Sequence, residues 1–65
     1  MKVKEGNVVK TTTRPIIYGQ VEEVDGDWIE ISYGLKETVL NKPWWPLYQY
    51  CDVKRDELEF IREAR

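Results

Sequence analysis

The stretch Asp25-Gly26-Asp27 does more than any other to restrict what this chain can become. It separates two runs rich in β-branched and aromatic residues, 16–24 and 28–33, and glycine accepts the positive φ that a tight turn between antiparallel strands demands. The sequence therefore predicts a β-hairpin. In its second arm Ile29, Ile31 and Tyr33 fall on one face and Trp28, Glu30 and Ser32 on the other, the period of a half-buried strand. The first arm alternates through Ile17, Gly19 and Val21. Val24 is out of step with Val21, so a β-bulge is expected near Glu22 and Glu23.

The flanking segments extend the pattern. Residues 7–13 are β-branched and end at Arg14-Pro15, because proline cannot donate to a strand ladder. After Gly34, residues 35–42 fit either a short strand around Thr38-Val39-Leu40 or a loop, and Asn41-Lys42-Pro43 reads as a turn. Residues 47–53 alternate again and predict a late strand. Lys54-Arg55-Asp56-Glu57 is polar. Asp56-Glu57 reads as a single helical turn feeding a last strand, Leu58-Glu59-Phe60-Ile61. The competing reading is an amphipathic helix over 53–64, capped by Asp52, with apolar residues at 53, 58, 61 and 64. With 65 residues and neither repeat nor linker, 1–65 forms one domain. A chain of that size buries only about 60% of the surface its unfolded form exposes.

Composition removes several classes of function. Ten Lys and Arg against twelve Asp and Glu leave a net charge of −2, which disfavours coating of a phosphate backbone. There is no His and one Cys, so Cys/His zinc sites, disulfide frameworks and His-based catalysis are excluded. Glu22/Glu23, Asp25/Asp27 and Asp56/Glu57 are paired carboxylates, but strand neighbours diverge and turn residues are solvated. Asp25-Gly26-Asp27 supplies too few oxygens for calcium, and the isolated glycines form no phosphate loop. No enzyme activity, metal or cofactor is expected. The start, Met1-Lys2-Val3-Lys4-Glu5-Gly6, is too charged for a signal peptide, so a cytoplasmic setting is expected, consistent with the lone Cys51. The carboxylate of Asp52 beside Cys51 works against a thiolate, which gives that cysteine a structural role.

The order of these segments carries a resemblance. Gly6-Asn7-Val8-Val9, then Gly19-Gln20-Val21 leading through Val24-Asp25-Gly26-Asp27-Trp28-Ile29, then Asp56-Glu57 before Leu58-Glu59-Phe60-Ile61, resemble the small Src-homology-3-like barrels, within them the Tudor and KOW groups. The resemblance implies an all-β barrel of about five antiparallel strands. The chain departs from nucleic-acid-binding members at the central hairpin. Glu22, Glu23, Asp25, Asp27 and Glu30 stand there without a compensating base.

Two features point to a binding surface. The first is 42–50, where adjacent Trp44 and Trp45 lie between Pro43 and Pro46 and are followed by Tyr48 and Tyr50. In an extended chain adjacent side chains point to opposite sides, so one tryptophan is expected in the core and one at the surface, unless both cap the ends of a thin barrel. The second is the acidic hairpin, suited to a basic partner unless the N-terminal bases neutralise it within the molecule. The function expected is a non-enzymatic module that binds a protein partner. Trp44, Trp45, Tyr48 and Trp28 form its aromatic anchor and Glu22, Glu23, Asp25 and Asp27 its charged rim. An aromatic cage for a quaternary ammonium has enough rings in this composition to be built. The alternatives are a nucleic-acid-associated barrel using Lys2, Lys4, Lys10, Arg14 and Lys42, and a homo-oligomeric structural subunit.

Overall fold

The computed structural model describes residues 2–42 and 46–63. Its element order is β1 (Asn7–Thr11), β2 (Tyr18–Asp25), β3 (Trp28–Gly34), α1 (Lys36–Asn41), β4 (Gln49–Lys54), a 3-10 turn (Arg55–Glu57) and β5 (Leu58–Glu63). All five strands are antiparallel in one sheet, in the order β4-β3-β2-β1-β5.

The hairpin forms where its turn chemistry places it. Asp25 pairs with Trp28, leaving Gly26 and Asp27 as the two loop residues. Gly26 has φ of +60° and Asp27 does not have positive φ, the pattern of a type II′ turn, whose twist suits the flanking strands. The register shifts between Val21 and Glu23, so Glu22 is the extra residue and the expected bulge is present. It returns Val24 to the side of Val21, and both pack with the core.

That core, Val3, Val9, Val21, Ile29, Ile31 and Leu58, draws on the segment before β1 and on β1, β2, β3 and β5, with Ile17, Val24, Cys51 and Val53 against it. The sheet has to curl to gather these residues. β4 and β5 are its opposite edges, and a flat sheet of this width would hold its edges about 19 Å apart. The three residues Arg55–Glu57 that join them advance only about 6 Å. The joint is tied down: the Arg55 backbone N–H donates to the Asp27 carbonyl (2.8 Å), its guanidinium to the Gly26 carbonyl (2.6 Å), and the Thr12 N–H to the Glu57 carbonyl (2.9 Å).

The opposite face of the sheet is divided. Val8, Gln20 and Ser32 are register partners in neighbouring strands and all are buried. α1 packs on β2 and β3, and Arg62, the β5 partner of Val8, donates to the Leu40 carbonyl near the end of α1. The helix therefore covers this part of the face, with Val39 buried beneath it. The cation also complements the C-terminal end of the helix, where carbonyls lack partners.

Two expectations are corrected. Residues 36–41 are helical, neither strand nor loop: Lys36 and Glu37 favour a helix, and Val39 turned inward supplies the burial that holds it. The helix stops at Lys42, since the residue before a proline avoids helical backbone. β1 ends at Thr11 and does not reach Thr13, because the Thr11 hydroxyl donates to the Pro15 carbonyl (3.1 Å) and accepts from the Ile17 N–H (2.8 Å), turning the chain. At the tail the expected single helical turn feeding a last strand is present: β4 ends at Lys54 and the chain enters β5 through one 3-10 turn, so the competing amphipathic helix does not form over residues 53–63.

Candidate functional site

The part of the outer face that α1 leaves uncovered is acidic. Cross-strand pairing aligns Glu23, Glu30 and Asp52 in one row over β2, β3 and β4, and Asp25, Trp28 and Lys54 in the next. Because strand side chains alternate, both rows stand on the side away from Ile29 and Ile31. Glu23, Asp25, Trp28, Glu30 and Asp52 line a groove of ≈ 410 Å³. Trp28 is 50% exposed within it. The ammonium of Lys54 lies over the indole, 5.7 Å from the ring centroid.

The carboxylate row opposes folding. Like charges directly across a strand pair are destabilising, and among the described residues no side-chain hydrogen bond or ion pair engages the carboxylates of Glu23, Glu30 or Asp52. The Asp52 charge also reaches the far side of β4. The Cys51 thiol is held above the ordinary thiol range, first by burial and then by that neighbouring carboxylate, and thiolate chemistry is suppressed there.

The hairpin carboxylates separate into different surroundings. Glu23 and Asp25 join Trp28 in the groove. Glu22, displaced by the bulge, accepts a 2.7 Å hydrogen bond from the Ser32 hydroxyl. Asp27 belongs to a second depression of ≈ 390 Å³ formed with Lys54, Arg55, Asp56 and Leu58. Tyr48 is 80% exposed just before β4 and lines neither depression. Trp44 and Trp45, with the expectation that one is core and one surface, lie outside the described residues. Of the bases weighed for phosphate contact, Lys10 stands 4.0 Å from the Glu59 carboxylate.

Asp52 and Lys54 belong to this surface and are not among the binding residues expected from sequence; Glu30 is counted there in the acidic hairpin but not in its charged rim. The alternation Trp28/Glu30 was visible in β3, and Asp52/Lys54 follows the same period in β4. Placing the two pairs side by side requires the β3–β4 register.

Among the described residues Trp28 is the one ring lining this groove, so no multi-ring cage for a quaternary ammonium is assembled there. No group of three or more described Asp, Glu, Cys or His side chains is placed to hold a metal ion. No helix among the described residues is long and apolar enough to cross a membrane. Comparison with protein-family models, curated proteins and solved structures gave no match.

Proposed function

We propose that this chain is a non-enzymatic interaction module and that it binds a protein partner through the Trp28 groove. The observation that carries this reading is a half-exposed tryptophan set among Glu23, Asp25, Glu30 and Asp52 on the part of the sheet face that α1 leaves uncovered. A rigid aromatic anchor supplies contact area at low entropic cost, and a rim of one charge sign selects the partner and speeds encounter. The bulge, the hairpin and the closing turn lend support to the likeness with Src-homology-3-like barrels. A nucleic-acid role is the weaker reading, since this face would repel phosphate.

The test is capture from cell lysate on immobilised protein, wild type beside Trp28→Ala and Glu30→Ala, with protein and nucleic acid both quantified in the eluate. Circular dichroism establishes that each variant is folded. The reading expects a discrete protein retained by wild type and lost with both variants. Retention unchanged by two folded variants rules the groove out.

A further inference from the structure

Lys54 marks what the groove accepts. Its ammonium already occupies the indole face, so the molecule presents, from its own chain, a cation on Trp28 beside a row of carboxylates. Lysine is a poor permanent occupant, because its ammonium is compact and strongly hydrated. A guanidinium is planar, less hydrated, stacks on aromatic faces and presents several N–H donors in one plane. Glu30 stands one pleat repeat from Trp28, about 7 Å along β3, with Asp52 opposite it on β4.

Resting on the reading of the groove as a protein-binding site, we infer that its occupant is an arginine side chain of a partner segment. The guanidinium lies on the Trp28 indole in the place that Lys54 occupies, and Glu30 and Asp52 accept its N–H donors. Charge complementarity favours this ligand: four carboxylates line the groove and one ammonium covers it. The arginine relieves the repulsion along Glu23, Glu30 and Asp52, so the arrangement that weakens the free fold strengthens the complex. Lys54 then acts as a displaceable cover that keeps weaker cations from the ring.

The experiment follows ¹⁵N–¹H correlation spectra of the full chain as a capped pentapeptide with one central arginine is added, in parallel with the same peptide carrying citrulline. Citrulline keeps the planar shape and removes the charge. The Trp28 indole signal is identified by its loss in Trp28→Phe. The arginine peptide is expected to shift that signal and the Glu30 and Asp52 amides, while the citrulline peptide leaves them in place. Lys54→Ala is expected to tighten arginine binding about two- to fivefold more than Lys54→Met, because both remove the charge and only alanine uncovers the ring. Equal shifts from both peptides overturn the arginine assignment and leave the groove a peptide site. Absence of shifts from either peptide overturns the arginine assignment, while the groove reading stands or falls separately on the lysate capture with Trp28→Ala and Glu30→Ala. Weaker binding in Lys54→Ala overturns the displacement.

Discussion

Replacing Gly19 with alanine tests how tightly β2 and β3 are apposed. In an ordinary strand that change helps by roughly 0.4–1 kcal/mol, because alanine restricts the unfolded chain. At Gly19 the added Cβ would lie 2.3 Å from the Ser32 carbonyl oxygen, 3.1 Å from its carbon and 3.2 Å from the Tyr33 Cα. All three are backbone atoms of the adjacent strand, so no side chain can rotate away. Ordinary contact begins near 3.4 Å, and β2 and β3 would have to separate locally by about 1 Å. Gly19 also pairs with Val9 on its other side, so the movement strains two ladders in the centre of the sheet. Overpacking of this kind costs about 1–3 kcal/mol or more, against about 3–10 kcal/mol of total stability for a chain of this length. Gly34 is the control, since among the described residues its Cβ would meet only the Leu47 Cδ2 at 2.9 Å, the end of a flexible side chain. Urea unfolding followed by circular dichroism should give a midpoint for Gly19→Ala far below wild type, with Gly34→Ala much closer to it. A Gly19→Ala midpoint at or above wild type would refute the close-approach argument.

Further outcomes follow from other contacts. Glu30→Lys places a base between Glu23 and Asp52 and should stabilise the fold by about 0.5–1 kcal/mol while abolishing groove binding; thermal unfolding and the peptide titration read the two effects, and a destabilised variant would contradict the like-charge reading. Val39→Ala should cost about 2 kcal/mol through lost burial under α1, measured by urea unfolding; a cost near zero would mean that the helix does not cover Val8, Gln20 and Ser32. The raised Cys51 thiol should alkylate more slowly in the native protein than in urea at the same mildly alkaline pH, and faster in Asp52→Asn than in wild type. By linkage, the stability associated with that thiol is fully present below its unfolded-state value and is lost as pH rises through its higher folded-state value.

The local features were legible wherever a short segment determines its own conformation. Asp25-Gly26-Asp27 specified the hairpin, the mismatch of Val21 and Val24 specified the bulge, and Asp56-Glu57 before Leu58 specified the closing turn. α1 was not legible, because six residues with one buried side chain cannot display a helical period, and Thr38-Val39 has a strand-like composition. Its stability comes from a tertiary surface, the Val8, Gln20 and Ser32 row, that exists only once the sheet has formed. The groove was half legible for a related reason. Trp28, Glu23 and Asp25 lie close together along the hairpin. Glu30 could be placed beside Asp52 only by pairing across a connection that no local pattern reveals. Glu22 was grouped with its neighbours by sequence and parted from them by one extra residue of backbone.

The position of β1 between β2 and β5 has a kinetic consequence. Asn7 meets Glu63 and Thr11 meets Leu58, so the strand that emerges first during synthesis waits for the last strand before one of its sides is satisfied. Until then Val9 lacks its cover and β1 offers an open edge to any neighbouring chain. Closing so long a loop before any contact rewards it is the step that slows sheet proteins, and refolding is expected on the millisecond-to-second scale of non-local β topologies. A nascent chain halted before Leu58 would hold its hairpin yet leave Val9 and its core neighbours without Leu58 and the rest of β5, which makes the interval before β5 is released the period of greatest exposure to aggregation.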